Sequence, residues 1–348
     1  MTQLPDQPKD LDDLRRISAE FGRDKMHIQG AGGNASIKAD NVMWIKASGT
    51  LLADAQTRDV FVATDLAQMR TALVNNDLHA DKPADFLLSQ GCGLRPSIET
   101  SLHAAFQQRV VLHTHCIYTL AHAVRQDAQA ILAEKLAPFD WAYVDYAKPG
   151  ANLARSVRNV LAPKTNVIVL GNHGLIVAAD SVPEVRALQL EVHEKLSVRP
   201  TGKDRVDLDR LRALALNSDY TLPDDDALHQ LAIHPKRVTQ VVKGSLYPDH
   251  VIFCGIAVTA LKQGETVPNA ARRVMDLGAP APVWILVPGA GVIVQKGVET
   301  SALVMMRCLA DVIAHVPPEA ELTYLSPEQN SELLNWDAEK YRQQLNAE

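Results

Sequence analysis

The sequence lacks any pair of cysteines close enough to form a CxxC motif. Its four cysteines, Cys92, Cys116, Cys254 and Cys308, are therefore read as reduced thiols of a cytosolic protein, which excludes a disulfide frame or a zinc knuckle. It also lacks a cluster of Lys and Arg, and its formal net charge is −6. Capture of nucleic acid or an anionic membrane by bulk charge is thereby excluded, and an anionic small substrate would need a local pocket. The polar opening stretch, MTQLPDQPKDLDDLRR, lacks the apolar core of a signal peptide, so a cytoplasmic location is expected. No apolar run is long enough to span a bilayer. The longest, near Ala279–Val294, is broken by Pro280, Pro282, Pro288, Gly289 and Gly291, and reads as buried strands with a turn.

What is present is an ordinary globular composition, 47% apolar and 22% charged, with 348 residues available for two lobes around an ample core. Leu11, Leu14, Ile17 and Phe21 recur at helical spacing and predict an opening amphipathic helix. A glycine-rich turn, Gly30-Ala31-Gly32-Gly33-Asn34, leads into two short strands, Ala35–Lys38 and Val42–Lys46, joined by Ala39-Asp40-Asn41. Ser97–Gln108 reads as a helix. Val110-Val111-Leu112 and Val167–Leu170 read as buried strands. Ser181-Val182-Pro183-Glu184 fits a capping box, followed by the apolar stripe Val185, Leu188, Val192, Leu196.

Residues 201–234, rich in charge and turn formers, are read as a linker carrying a helix over Leu208–Leu216. Residues 1–200 then form a catalytic region and 235–348 a C-terminal α/β lobe. An internal echo links the two. Asn166–Leu196 lies over Val283–Ile313 without a gap, and His173 falls on Ala290. More loosely, Arg109–His115 matches His250–Ile256. The C-terminal lobe is thus a candidate degenerate repeat that has lost its metal ligands.

The chemistry concentrates in three histidines. Alternate residues of a strand share a face, so His113 and His115 project together, their Cα atoms roughly 6.5–7 Å apart, within reach of one ion. His173, in Asn172-His173-Gly174, ends a second apolar strand and could bring a third imidazole to the same rim. Three neutral imidazoles suit Zn²⁺ and leave a position open for water or substrate. Glu99, in the first turn of the helix after Pro96-Ser97, is kept ionised by the helix dipole and is a candidate ligand or base. His103, one turn on, is read as packed or orienting. A rival pattern, Gly30-x-Gly32-x-x-Ala35, resembles a dinucleotide-binding fingerprint. That fingerprint needs a buried strand before it and a helix after it, and neither is predicted here.

Taken together, Gly33-Asn34-Ala35-Ser36, Ser48-Gly49-Thr50, Pro96-Ser97-Ile98-Glu99, His113-Thr114-His115 and Asn172-His173-Gly174 resemble the class II aldolase/adducin family in order and spacing, over about residues 10–200. The stretches Val241–His250 and Leu334-Asn335-Trp336-Asp337 resemble the aldolase portion of bifunctional rhamnulose-1-phosphate aldolase/short-chain dehydrogenases. In that resemblance the dehydrogenase portion would begin where this chain stops.

The resemblance implies a three-layer α/β/α sandwich and a homo-oligomer, usually a tetramer. It implies His113, His115 and His173 as ligands of one divalent ion per chain, with Zn²⁺ the expected metal and Glu99 as fourth ligand or catalytic acid/base. It implies Gly33, Asn34, Ser48, Gly49 and Ser97 as the holders of a substrate phosphate. Ile98 stands where the family has a second serine, so one phosphate donor is missing. Tyr146, in Asp145–Gly150, is a candidate proton donor to a leaving alkoxide. The expected reaction is reversible cleavage of a ketose, such as a rhamnulose- or fuculose-like 1-phosphate, through a metal-stabilised enediolate. Two other readings stay open: a phosphopentose 4-epimerase or other metal–enolate lyase, and a non-catalytic scaffold like adducin.

Overall fold

The structure is a computed structural model that describes residues 6–88, 93–202 and 204–334. Cys92 and the Asn335-Trp336-Asp337 part of the C-terminal motif lie outside the described residues. The chain opens with helix α1 (Leu11–Arg23), strands β1 (Asn34–Ala39), β2 (Val42–Lys46) and β3 (Phe61–Asp65), and helices α2 (Leu66–Val74) and α3 (Thr100–Ala105). It continues through β4 (Val110–Thr114), α4 (Ile117–Ala123), α5 (Ala128–Lys135), β5 (Trp141–Val144), α6 (Ala151–Val160), β6 (Val167–Leu170), β7 (Gly174–Ala179) and α7 (Val182–Lys195). The strands build a seven-stranded sheet in the order β3-β2-β1-β4-β7-β6-β5, antiparallel except for the β5–β6 pair.

Side-chain alternation sorts the sheet into two cores. Val110, Leu112, Val167, Val169, Leu175 and Val177 pack with α1 and α7 on one face. Val111, Ile168, Leu170, Ile176 and Ala178 pack with α2, α3 and α6 on the other. Both faces are thus covered by helices, which makes three layers, α/β/α, as expected from the sequence. The stripe Leu11, Leu14, Ile17 and Phe21 is the buried side of α1. The Ser181–Glu184 capping box forms in both directions, satisfying backbone N–H groups that α7 could not pair internally. The helix expected over Ser97–Gln108 is shorter. Glu99 occupies its cap position, and the backbone turns extended at Phe106.

The second lobe holds α8 (Leu208–Ala215), β8 (Tyr220–Thr221), α9 (Gln230–Ile233), α10 (Pro235–Val242), α11 (Pro248–Cys254), β9 (Thr259–Ala260), α12 (Val267–Met275), β10 (Trp284–Val287), β11 (Gly291–Gln295), α13 (Thr300–His315) and α14 (Pro327–Leu334). Residues 201–234, read from sequence as a linker, are built into this lobe. They supply α8, where the helix was expected, and β8, and they bury Leu211, Tyr220 and Leu228. Charge and turn residues dominated that reading because only one side of a short amphipathic element is apolar.

The strand order of the second sheet, β8-β11-β10-β9, repeats β4-β7-β6-β5 of the first. The hairpins share one register, Leu170↔Gly174 in β6–β7 and Val287↔Gly291 in β10–β11, so Ala290 takes the place of His173. The looser match of Arg109–His115 to His250–Ile256 is corrected. His250–Cys254 is helical in α11, and the strand in β4's topological place is β8. A short apolar run does not by itself separate strand from helix. The lobes are fused through a common core, in which Ile117, Leu120 and Ala121 of α4, with Val124 just after it, pack with Met305, Leu309 and Ile313 of α13.

Candidate metal centre

β4 lies in the middle of the first sheet, between β1 and β7. His113 follows Val111 on the face that carries α3, and His115 continues that side just past the strand. His173 was expected at the end of a strand. It sits instead in the turn joining β6 to β7, whose last paired residues are Leu170 and Gly174. Asn172 shapes this turn with a left-handed backbone, φ 54°, which an asparagine tolerates. Its side-chain amide donates to the Leu246 carbonyl at 2.9 Å and the Thr323 carbonyl at 2.8 Å. The second lobe therefore pins the turn that presents His173.

The three imidazoles converge. Ring centroids are 5.0 Å apart for His113–His115, 4.9 Å for His113–His173 and 5.3 Å for His115–His173. His113 Nε2 and His115 Nε2 face each other at 3.2 Å. Glu99 Oε1 lies 3.6 Å from both His113 Nε2 and His173 Nε2. The outer nitrogens of two rings are held: His113 Nδ1 donates to the Leu175 carbonyl at 3.0 Å, and His115 Nδ1 lies 3.0 Å from Asp249 Oδ2. The His113 bond fixes the tautomer that leaves its Nε2 lone pair facing the centre, and the Asp249 carboxylate stands against the outer nitrogen of His115. Glu99 is oriented by Asn34, whose Nδ2 donates to Oε2 at 2.6 Å, and its backbone N–H donates to Ser97 Oγ at 3.2 Å.

Glycine makes room for this crowding. A Cβ on Gly174 would lie 2.5 Å from the Thr114 carbonyl oxygen and 3.2 Å from His113 Cε1. One on Gly32 would lie 2.8 Å from His115 Nδ1.

Burial brings His173 down to about 3 and also lowers His113, with the Glu99 carboxylate opposing in both cases. Both rings are thus neutral and able to donate a lone pair. Burial pushes Glu99 up, but the neighbouring His113, His173, His115 and His103 outweigh it and bring the group to about 2, so it is ionised. Glu99 Oε1 is buried with no hydrogen-bond donor of its own. Three imidazole nitrogens and one anionic oxygen aimed at a common point fit a divalent cation. Among the described residues His113, His115 and His173 form one of two groups whose ligand atoms lie close enough to hold a metal ion.

The cavity beside it is lined by all five residues expected to hold substrate, Gly33, Asn34, Ser48, Gly49 and Ser97. Two further side chains in its wall escaped the sequence reading. Lys46, 2% exposed, donates through Nζ to the carbonyls of Ala31 at 2.8 Å and Gly33 at 3.1 Å, and so braces the glycine turn. Its signal was a lysine closing an apolar strand just before Ser48-Gly49. Asp249 comes from the first turn of α11, in the other lobe, where no local pattern marks it. Tyr146, expected as a proton donor, is not among the residues lining this cavity. Its ring packs against Val251, Leu325 and Leu333, because those apolar side chains offer it an interlobe core. His103 is fully buried and meets Ser36 Oγ at 2.8 Å through Nδ1, in keeping with the orienting or packed role expected.

The family model for the class II aldolase and adducin N-terminal domain matches residues 12–198, a span that contains every histidine of this centre. The chain belongs to the class II aldolase and adducin family. Outside that span, Asp249 and the carbonyls that anchor Asn172 come from chain that the family model does not cover. Among curated proteins, the chain is similar to an uncharacterized oxidoreductase, YuxG, of Bacillus subtilis, at 27% identity over 183 residues. That match takes in 49% of this chain but only 26% of the Bacillus protein, so the chain spans about a quarter of that relative's length. It is also similar to an L-fuculose phosphate aldolase of Methanococcus maripaludis, at 25% identity over 181 residues, 50% of this chain and 86% of that protein. A solved structure of the N-terminal class II aldolase domain of a conserved protein from Thermoplasma acidophilum aligns with a TM-score of 0.49 and 22% identity, covering 56% of this chain and 95% of that one.

Proposed function

We propose that this protein is a metal-dependent aldolase that reversibly cleaves a ketose 1-phosphate. The observation that carries the reading is the convergence of His113 Nε2, His115 Nε2, His173 Nε2 and Glu99 Oε1 on one point beside a polar cavity. The M. maripaludis relative, an L-fuculose phosphate aldolase, supports a sugar phosphate as the substrate class.

The three histidines and Glu99 would hold the ion, with Zn²⁺ fitting imidazole and carboxylate donors. When bound, the ion supplies Lewis acidity that stabilises negative charge on the substrate oxygens as the carbon–carbon bond breaks. Glu99, ionised and poised at the centre, would take the proton from the reacting carbon in the synthesis direction and, once protonated, return it to that carbon in the cleavage direction. The backbone turns at Gly33-Asn34 and Ser48-Gly49, with Ser97, form a nest for the phosphate dianion, and Lys46 adds a positive charge to the same wall. The cavity measures about 30 Å³, too small for a sugar phosphate, so substrate entry requires its lining to move.

A screen of ketose 1-phosphates with zinc-loaded protein tests the reading. Cleavage is expected, with loss on chelation and recovery on readdition of metal. Borohydride treatment with substrate is expected to leave the chain's mass unchanged, because no lysine Schiff base forms. Failure of the metal-loaded protein to cleave any member, or a trapped adduct, overturns the proposal.

A further inference from the structure

A second set of ligating side chains lies across the sheet from the first. His113 and His115 face the α3 side, whereas Thr114 and Cys116 turn toward α7. There Cys116 Sγ lies 3.2 Å from His193 Nδ1, and the rings of His193 and His27 stack with centroids 4.1 Å apart. One ligand atom from each of Cys116, His27 and His193 lies within 4.8 Å of the others. Asp24 Oδ2 is 3.9 Å from His27 Nε2, and the charge of Asp24 bears on all three groups.

Gln189 meets His27 Nδ1 at 3.0 Å and Thr114 Oγ1 at 3.2 Å, yet its own Oε1 is buried without a partner. Its amide O and N differ only in assignment, and exchanging them turns the oxygen to both His27 Nδ1 and Thr114 Oγ1 and leaves the nitrogen in the unpartnered place. In that assignment the amide oxygen accepts from His27 Nδ1–H, and His27 Nε2 is the ring nitrogen left facing Asp24. Burial holds His27 down at about 4 and lowers His193, so both rings are neutral near pH 7.

We propose that Cys116, His27 and His193 bind a zinc ion of their own, with Asp24 as fourth ligand. One sulfur, two imidazole nitrogens and a carboxylate oxygen match the soft-to-borderline donors of tetrahedral zinc. Tetrahedral bonds of about 2.0–2.3 Å place ligand atoms roughly 3.3–3.7 Å apart, so the separations among Cys116, His27 and His193, none above 4.8 Å, close by about 1 Å at most. Binding breaks the Cys116 S–H bond, forms an S–Zn bond and releases the proton to solvent. A site closed by four protein ligands is structural. It ties the chain after α1, the junction of β4 with α4, and α7 at one point. Because Cys116 directly follows His115, the ion fixes the backbone that delivers His115 to the first centre.

The test does not depend on aldolase activity. Full-length chain reconstituted with zinc and freed of excess is expected to hold about two ions, and Cys116→Ser about one. Cobalt-loaded wild type is expected to show a near-ultraviolet thiolate-to-cobalt band, which the first centre cannot produce because it has no sulfur ligand. The band is expected to persist in the His113→Ala/His173→Ala variant and to vanish in Cys116→Ser. No such band in the cobalt-loaded wild type overturns the proposal, as does its survival in Cys116→Ser. Should either variant fail to fold, the wild-type spectrum alone decides.

Discussion

Replacing Asp249 with asparagine probes whether the second lobe takes part in the metal centre. The carboxylate is 5% exposed, and its Oδ2 lies 3.0 Å from His115 Nδ1. A carboxylate placed there favours the ring orientation that turns Nδ1 toward Asp249 and Nε2 toward the ion. Loss of such a partner costs about 10–100-fold in metal affinity, equivalent to about 1.4–2.7 kcal/mol. Asparagine keeps an acceptor oxygen in the same place but removes the charge, so Asp249→Asn should fall near the lower end. Asp249→Ala leaves His115 Nδ1 buried without that acceptor and should fall at the upper end or beyond. Zinc affinity is read by competition with a chromophoric chelator, alongside circular dichroism to confirm the fold. The expected order is wild type, then asparagine, then alanine, with kcat/KM for the cleaved sugar following. Equal affinity in all three would refute the claim that this contact tunes the centre.

Gly174→Ala places a methyl 2.5 Å from the Thr114 carbonyl, which β4–β7 pairing holds in place. A stability loss of about 1–3 kcal/mol is expected, with weakened zinc binding, and an unchanged denaturation midpoint would contradict it. Glu99→Gln keeps the shape but removes the proton acceptor. It should lower kcat by about 100-fold or more while the fold persists, and a rate near wild type would remove Glu99 from the proposed chemistry. Acid should destabilise the chain through buried histidines outside both metal groups. Burial holds His122 and His250 at about 4, against an ordinary 6.5. Between those values the unfolded chain binds more protons than the folded one. Stability is therefore fully present above about 6.5 and falls as pH drops toward 4, by up to about 3 kcal/mol for each group. Urea midpoints taken in chelator separate this from metal release, and a midpoint constant from pH 7 to 4.5 would count against it.

The first lobe was readable because its signals are local. The α1 stripe, the β1–β2 hairpin and the Ser181–Glu184 box each depend on residues a few positions apart, and each formed where expected. His113 and His115 were placed on one side by strand alternation alone. The hairpin echo between 166–196 and 283–313 was likewise legible, since a shared register needs only the same spacing of apolar residues around a turn. The linker reading of 201–234 failed for the opposite reason. β8 contributes two residues, Tyr220 and Thr221, and is stabilised by pairing with β11 more than seventy positions away in sequence.

By itself, then, the chain's residue pattern determined which imidazoles could share a cation and which turns would carry them, because periodicity and turn chemistry act over a few bonds. Only the folded arrangement decided that Asp249 reaches across from the second lobe to His115, that Tyr146 is drawn into an interlobe core, and that Cys116 meets His27 and His193 behind the first centre. Those encounters join residues far apart along the chain. Their positions follow from how two sheets and their helices pack, a property that no short window of sequence contains.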